Sequence, residues 1–261
     1  MSVLLEERLH DGRIALFTLN RPQVMNAFNT ELGVALNVAL ERVQSNPVVR
    51  VVVFTGAGDR AFCTGADLKE RNGMTDKQWF RQHRLFQEVH RKVRTCPKPV
   101  IAAVNGYALG GGCELAMSGD FIYASVTARF GLPEVTRGII PGVGGTQVIG
   151  RFLPRGRALE LLMTGDAITA EEAYRYGMVN RVTEPGALID ETLAAAARIA
   201  DNAPLAVRMA KKAFRMGVDL PLEEGVEWAL ECYNRTVVHP DREEGVRAFN
   251  ERRKPRFMDV Y

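Results

Sequence analysis

Apolar residues in the first two thirds of the chain form short continuous runs, and segments with helical spacing follow them. The run at 48–54 (VVRVVVF) is too apolar to face water on either side, which favours an enclosed or parallel sheet. Together the runs predict strands at 14–19, 48–54, 99–104 and about 120–124.

Apolar residues repeat at helical spacing between these strands. A helix is predicted from Thr30 to about Ser45, with Asn29 as its N-cap. A second helix is predicted from about Asp76 to Arg94, and a short one around Glu114. Strands that alternate with glycine-rich loops and helices are typical of an α/β domain whose ligands bind beyond the strand ends.

From about Thr146 onward the pattern becomes helical. Thr169 with Glu172 forms a capping box, Gly177 is placed to end that helix, and 178–182 could form a last short strand. Beyond 186 only helical periodicity remains, in segments near 187–201, 204–216, 221–237 and 241–253.

Two regions are therefore predicted, a core at 1–186 and a helical region at 187–261. The helical region is too thin to bury its own apolar residues, so those residues need a partner surface. They include Leu205, Val207, Met209, Phe214, Trp228, Leu230 and Phe249.

The distribution of charge argues against a nucleic-acid-binding protein and excludes little else. The 34 basic and 31 acidic residues are interspersed and give a net charge of +3, without the one-sided basic patch that nucleic acid requires. Arg252, Arg253, Lys254 and Arg256 crowd together near the end of the chain. This run is interpreted as a solvated face, with an anion contact as the alternative.

The four cysteines, Cys63, Cys96, Cys113 and Cys232, form no CxxC pair, and the N-terminus lacks a basic segment followed by an apolar core. A reducing, cytoplasmic setting is expected, and no apolar run reaches the ~18 residues of a membrane span. His83 and His90 lie roughly 10 Å apart if they share a helix. That is too far to share an ion, so no metal site is predicted and both are interpreted as surface or packing residues.

Two glycine-rich stretches carry the candidate chemistry. In NGYALGGGCELA (105–116), three glycines precede Glu114, and Glu134 in FGLPE precedes RGIIPGVGGTQ (137–147). Glycine lets the backbone approach a ligand closely and point its N–H groups at it. Two carboxylates beside two sets of backbone donors indicate acid/base chemistry on a carbonyl compound.

Other interpretations of these residues exist. Glu134 follows Pro133, and an acidic residue in a first helical turn often only complements the helix dipole. The glycine triplet lacks the GxGxxG order of a dinucleotide site, and Cys113 has no nearby histidine that would make it a nucleophile. The two glutamates and both glycine loops together favour a catalytic role.

The motifs as a set resemble the crotonase superfamily, and specifically the enoyl-CoA hydratases. The similarity covers nearly all of the chain and rests on NRP (20–22), MNAF (25–28), GADLKE, NGYALGGGCELA, FGLPE, IIPGVGGTQ, the block at 163–182 and DREEGVRAF. It implies an α/β fold, a crotonase-like spiral of ββα units followed by a C-terminal helical trimerisation region. The assembly implied is a homotrimer or a homohexamer built as a dimer of trimers.

The resemblance also implies a role for individual residues. The backbone N–H groups of Ala66 and Gly111 match the oxyanion hole that holds the thioester carbonyl oxygen. Glu114 matches the base that activates water, and Glu134 the carboxyl group nearest the α carbon. The N–H of Gly142 matches a group that holds the same water. The implied reaction adds water across the 2,3 double bond of a trans-2-enoyl-CoA and gives a 3-hydroxyacyl-CoA.

Coenzyme A would be held as part of the substrate, and neither a metal nor a redox cofactor is implied. By family match, Lys69 lies near the adenine, Arg252 reaches the phosphates from this or another subunit, and Asn26 and Ala27 line the pantetheine path. The acyl pocket is expected to involve Glu70–Phe86, including Met74, Trp79 and Phe80.

The resemblance leaves several activities open. Isomerases of the superfamily commonly keep only the carboxylate at the position of Glu134, whereas other hydratases act on 3-methylglutaconyl-CoA or carnitinyl-CoA. Some relatives bind AU-rich RNA, which the balanced charge here does not favour. A catalytically silent scaffold is disfavoured because both glutamates and both oxyanion positions are present.

Overall fold

The computed structural model describes residues 2–258 and contains two sheets. The larger sheet has six strands, in spatial order β1 (Leu4–Leu9), β2 (Ile14–Leu19), β3 (Val51–Gly56), β5 (Val100–Val104), β7 (Phe121–Ser125) and β10 (Arg181–Thr183). β1 and β2 form an antiparallel hairpin, and every other neighbouring pair is parallel.

Side chains on successive residues of this sheet enter two separate cores. Phe17 and Val52 pack in the cluster that includes helix α1 (Thr30–Ser45), whereas Leu16 and Val53 pack on the opposite face. The opposite face is covered by helix α8 (Leu188–Ala200), which contributes Leu188, Ala196 and Ala200. A strand covered on both sides needs apolar residues at every position, which explains the sequence of β3.

The strands expected at 14–19, 99–104 and about 120–124 are confirmed within one residue. The strand expected at 48–54 begins only at Val51, and Val48 is half exposed. Pro47 lies in a turn there, which delays pairing with the neighbouring strands. The strand expected at 178–182 forms at Arg181–Thr183.

Eleven helices lie in residues 2–258, and the predicted α1 and α3 have the predicted ends. Asn29 caps α1, and the capping box of Thr169 and Glu172 begins α7. The remaining helices are α2 (Leu68–Arg71), α3 (Asp76–Arg94), α4 (Gly111–Ser118), α5 (Gly145–Val148), α6 (Arg155–Thr164), α7 (Ala170–Arg175), α9 (Pro204–Gly217), α10 (Leu222–Val237) and α11 (Pro240–Asn250).

The second sheet was not anticipated from the sequence. It contains β4 (Ala61–Cys63), β6 (Tyr107–Leu109), β8 (Arg129–Gly131) and β9 (Ala167–Thr169). Each strand has three residues, too few to show a period of two, so no pattern could indicate it. β4, β6 and β8 run parallel, and their carboxyl ends therefore meet at one edge.

The helices after β10 differ in their surroundings. α8 packs on the first sheet, whereas α9 and α10 pack on each other, with Gly217 against Gly225. As expected, the last helices leave large apolar side chains uncovered, including Phe214 (69% exposed) and Phe249 (83%). The predicted division at residue 186 stays a prediction. No helix in residues 2–258 is both long and apolar enough to span a bilayer.

Backbone contact between α4 and β4 gives a test of this packing. A Cβ added to Gly112 would overlap the carbonyl group of Cys63, whereas one added to Gly156, inside α6, would meet nothing within 4 Å. We expect Gly112→Ala to lower the free energy of unfolding by about 2 kcal/mol or more, because backbone must move. Gly156→Ala should be neutral or stabilise by up to about 1 kcal/mol. Chemical unfolding would compare the two variants, and equal stabilities would contradict this account.

Candidate active site

Three parallel strands of the second sheet end at the same place. The loop after β4 carries Gly65 and Ala66, β6 is followed by Gly110 and Gly111, and β8 is followed by Glu134. Three segments that lie far apart in the sequence therefore deliver their residues to one edge. This is the position where parallel sheets bind ligands.

Ala66 is held by a single parallel bridge to Phe28. Phe28 N–H donates to the Gly65 carbonyl at 2.7 Å, and Asp67 N–H donates to the Phe28 carbonyl at 3.0 Å. In this geometry the N–H of Ala66, between the two bonded residues, points away from Phe28. Ala66 is one of the residues that line a cavity, and the role of its N–H as an oxyanion donor stays a prediction.

The NRP segment fixes this bridge. Arg21 donates to the Asp67 carboxylate at 2.9 Å, and both side chains are largely buried. Asp67 also caps α2 by accepting from the N–H of Lys69 and Glu70. Burial acts to raise the pKa of Asp67, but the bonds from Arg21 and the α2 backbone outweigh it and lower that pKa. The ion pair thus ties the residue after Ala66 to the NRP segment.

Gly111 is the first residue of α4, so its N–H has no acceptor within the helix. Gly110 precedes it with φ of +53°, which glycine adopts without strain. A Cβ on Gly65 would lie 3.1 Å from the nitrogen of Gly111, so the Ala66 and Gly111 loops are in contact. The two predicted oxyanion donors therefore lie side by side.

Glu114 is buried in the first turns of α4, with 4% of its surface exposed. Its Oε1 accepts from Val143 N–H at 3.0 Å and from Gly145 N–H at 2.7 Å. Arg94 donates to the Val143 carbonyl at 2.6 Å and secures that loop. Both bonds use Oε1 and leave the second oxygen of Glu114 out of this pair of contacts.

Glu134 lies in the 3₁₀ helix Pro133–Arg137, directly after Pro133 as predicted. Its Oε2 is buried and has no hydrogen-bond partner among residues 2–258. Burial raises the pKa of Glu134 to about 7, and the charge of Glu114 adds to the effect, while the backbone hydrogen bond at Glu134 opposes it. A Cβ on Gly110 would lie 3.1 Å from Glu134 Oε1, so this carboxyl group lies against the glycine loop.

One face of α3 lines the same cavity with Trp79, His83, Phe86 and His90. The two histidines were expected to be surface or packing residues, and His90 is indeed buried and packed against Phe28. His83 is half-buried, and the structure adds that both line the cavity. Their spacing of four, three and four residues from Trp79 to His90 is that of one helical stripe. That stripe was the signal that could have identified them from the sequence.

His90 contacts a carbonyl oxygen through each ring nitrogen, Phe86 O at 2.8 Å and Gly111 O at 3.0 Å. A ring nitrogen donates to the carbonyl that it faces only when it carries a hydrogen. His83 lies against Gly142, where an added Cβ would come within 2.6 Å of the ring. Gly142 lines the cavity next to Val143, and its water-holding role stays a prediction.

The residues predicted to hold coenzyme A lie less directly at the cavity. Asn26 is fully buried and uses its side chain to bind the backbone of Arg21, Ala57 and Ala61. The cavity is instead lined by residues on either side of Asn26 and Ala27, Met25 and Phe28. Lys69 and Arg252 are exposed and outside the lining of this chain's cavity. Their contacts with coenzyme A stay predictions.

The thiols fit packing roles. Cys63 and Cys113 are buried, and burial raises the pKa of Cys63 to about 12 and that of Cys113 well above its usual range. Such thiols stay protonated and unreactive at neutral pH. Among residues 2–258, no group of three or more His, Cys, Asp or Glu residues is placed to hold a metal ion.

Ala66, Gly111, Glu114, Glu134 and Gly142 all line one cavity of about 1080 Å³. Its size and mixed apolar and polar lining suit a small organic ligand. Trp79 and Phe80 line it as expected, whereas Met74 is not part of the lining. A second cavity of about 670 Å³, between α9 and the start of β7, contains none of the predicted site residues.

Comparison with known proteins places this fold and site in one family. The sequence model of the family described as "Enoyl-CoA hydratase/isomerase" matches residues 10–260. The chain is 42% identical to (E)-benzylidenesuccinyl-CoA hydratase of Thauera aromatica, over 98% of this chain and 99% of the relative. It is 39% identical to short-chain-enoyl-CoA hydratase of Clostridium acetobutylicum, over 97% and 96% of the two chains.

Solved structures agree with the sequence comparison. The crystal structure of enoyl-CoA hydratase from Bacillus anthracis superposes with a TM-score of 0.96 at 39% identity, over 99% of this chain and 100% of the other. The chain belongs to the enoyl-CoA hydratase/isomerase family, and its fold is the crotonase fold, as the motifs predicted.

The raised pKa of Glu134 predicts a pH-dependent stability. Between about pH 4.5, the ordinary pKa of glutamate, and about pH 7, the folded protein binds one more proton at Glu134 than the unfolded chain. The stability that Glu134 contributes is therefore fully present below pH 4.5 and is lost as the pH rises through 7. Glu134→Gln is neutral throughout, and its melting temperature should therefore rise relative to the native protein from about pH 5 to about pH 8. Thermal unfolding across this range tests it. The exposed Glu171→Gln serves as the control, and parallel curves for native protein and Glu134→Gln would contradict the shift.

Proposed function

We propose that this protein is a hydro-lyase that adds water to the 2,3 double bond of an enoyl-CoA and forms a 3-hydroxyacyl-CoA. The observation that supports it is the meeting of two differently held carboxyl groups, Glu114 and Glu134, with the adjacent backbone donors of Ala66 and Gly111. The names of the relatives, short-chain-enoyl-CoA hydratase and crotonyl-CoA hydratase among them, agree with it.

In this proposal the thioester carbonyl oxygen lies between the N–H groups of Ala66 and Gly111. Addition of water makes the carbonyl enolate-like, and the two fixed donors stabilise the charge that develops on its oxygen. Each such donor typically lowers the barrier by about 3 kcal/mol. Because both belong to the backbone, no side-chain substitution can remove them directly.

The two glutamates take different parts because their surroundings differ. Glu114 is fixed through Oε1, and its other oxygen accepts a hydrogen bond from the attacking water as the base. The pKa of Glu134 near 7 lets it hold a proton at neutral pH, which it delivers to the α carbon. Gly142, beside the Glu114 loop, would donate its N–H to the same water. Coenzyme A enters as part of the substrate, with no resident cofactor proposed.

The proposal predicts loss of activity on removing either carboxyl group. Glu114→Gln keeps an oxygen for the N–H groups of Val143 and Gly145, and Glu134→Gln keeps the size of the side chain. Each should fold normally and lose about a hundredfold to ten-thousandfold in kcat, while the binding of a saturated acyl-CoA changes little.

The measurement is the loss of enoyl-thioester ultraviolet absorbance when enzyme is added to crotonyl-CoA. Glu227→Gln, an exposed residue of α10, should behave as the native protein. Absence of hydration by the native protein, or full activity of Glu134→Gln, would refute the proposed reaction.

We also propose that the chain assembles as a homotrimer or homohexamer through α9, α10 and α11. These helices expose large apolar side chains that a single chain leaves uncovered, among them Phe214, Leu222, Val238 and Phe249. Uncovered apolar side chains of this size favour a protein partner. Arg252, at the end of α11, would then reach the phosphates of coenzyme A bound to a neighbouring subunit. A cytoplasmic location is proposed too, supported by four free thiols.

Light scattering after gel filtration tests the assembly. The mass should be three or six times the 28.9 kDa of one chain, and Phe214→Asp with Phe249→Asp should lower it. A charge buried at an interface is strongly destabilising, which is the reason for the expected dissociation. Val38→Asp, on the exposed face of α1, is the matched control and should leave the mass unchanged. A native monomer would contradict the proposal.

A further inference from the structure

Arg71 is a buried cation in the wall of the cavity. It is the last residue of α2, its surface is 8% exposed, and it lines the same cavity as Glu114 and Glu134. Its guanidinium carbon lies 4.1 Å from the centre of the Trp79 ring and 5.6 Å from that of Phe86. The aromatic rings fix the plane and position of the guanidinium group.

Most of the hydrogen-bonding capacity of Arg71 is unused. Its Nε donates to Gln82 Oε1 at 2.9 Å, which accounts for one of five N–H groups. The carboxylate of the preceding residue, Glu70, whose charge acts on Arg71, is bound by Gln82 Nε2 at 2.7 Å and by Thr30 N–H at 2.9 Å. Within residues 2–258 no carboxylate lies within ion-pair distance of Arg71.

A buried arginine without an anion is costly. Desolvation of a charge is compensated only by a well-placed opposite charge or by several hydrogen bonds, and here one neutral bond and two rings provide the compensation. Desolvation lowers the pKa of Arg71, yet a guanidinium stays charged at neutral pH. The cavity contains two other arginines, Arg60 and Arg137, but both are exposed to water. Arg71 is therefore the desolvated cation of this cavity.

Helix α3 gives the position of Arg71 relative to the proposed reacting groups. At one end of its cavity-facing stripe, His90 contacts the Gly111 carbonyl beside the proposed oxyanion donors. Phe86, one turn or about 6 Å away along the axis, lies next to Arg71. The charges of Arg71 and Glu114 both act on His83, which lies between Trp79 and Phe86 on this stripe. An acyl chain that leaves the oxyanion site along α3 thus reaches the guanidinium after a few carbons.

We propose that Arg71 binds a carboxylate at the far end of the substrate's acyl chain, so that the preferred substrates are enoyl-CoA thioesters of short dicarboxylic acids. The inference rests on the proposed hydration and specifies its substrate class. The planar guanidinium presents its Nη groups to both carboxylate oxygens, which is the bidentate arrangement that arginine favours. Trp79 and Phe86 exclude water from this pair and strengthen it.

The experiment compares isosteric substrates in matched variants. Glutaconyl-CoA and 2,3-dehydroadipyl-CoA carry the terminal carboxylate, and 5-methylhex-2-enoyl-CoA and 6-methylhept-2-enoyl-CoA replace it by two methyl groups. The native protein should have the higher kcat/KM for the acids. Arg71→Met should lower that value about tenfold to a hundredfold, since a bond to a charged group is lost, and should change it less than threefold for the neutral isosteres. Arg71→Lys should have an intermediate kcat/KM for the acids, because lysine keeps the positive charge but lacks the two parallel N–H donors of the guanidinium group.

Arg81→Met removes the same charge from the exposed face of α3 and should leave all four values unchanged. An equal loss of kcat/KM for the acids and the isosteres in Arg71→Met would make Arg71 a structural residue and overturn the inference. A higher kcat/KM of the native protein for the neutral chains would overturn it too. Hydration of the isosteres alone would leave the proposed reaction intact. If no thioester is hydrated, the reaction fails, and the inference is then decided by calorimetry: glutaryl-CoA must bind more tightly than 5-methylhexanoyl-CoA, and Arg71→Met must abolish the difference.

Discussion

Close packing of α4 on the short strand β4 is the constraint on which the site depends. Gly112 touches the Cys63 backbone so closely that no side chain fits, and this contact sets the start of α4 beside the loop that carries Ala66. The parallel pairing of β4, β6 and β8 then fixes the third segment, with Glu134, at the same edge. Two backbone donors and a carboxyl group become neighbours because strands of only three residues align their ends.

The two glutamates in the cavity differ electrostatically because different loops contact their carboxyl groups. Glu114 projects from a helix into the loop of Val143 and Gly145, which supplies two N–H donors to one of its oxygens. Glu134 lies in a 3₁₀ turn against the glycine loop, its Oε2 has no hydrogen-bond partner among residues 2–258, and burial raises its pKa to about 7. Two residues of the same type thus acquire distinct properties through the backbone around them. Arg71 adds a third buried group that forms no ion pair with residues 2–258.

The sequence predicted the long elements well because each carries enough residues to show a period. Strand β2, helix α1 and helix α3 have the ends that apolar spacing and capping residues indicate. The three-residue strands of the second sheet could not be recognised, since a period of two needs more positions. The apolar pattern places the start of β3 three residues too early, because Val48 and Val49 extend its apolar run. The turn at Pro47 and Val48 delays the pairing of β3 with its neighbouring strands until Val51.

By itself the sequence determined the family, the long helices and strands, and the identity of Ala66, Gly111, Glu114 and Glu134 as candidate site residues, since glycine motifs and carboxylates in fixed order are local properties of the chain. Only the tertiary structure decided that these four line one cavity, that Asn26 is turned into the backbone beside it, and that α3 brings His83, His90 and Trp79 to its wall. It also decided that Arg71 is desolvated without an ion pair to any residue of the described part of the chain. Burial and contact arise from packing between distant segments, and no local pattern encodes them.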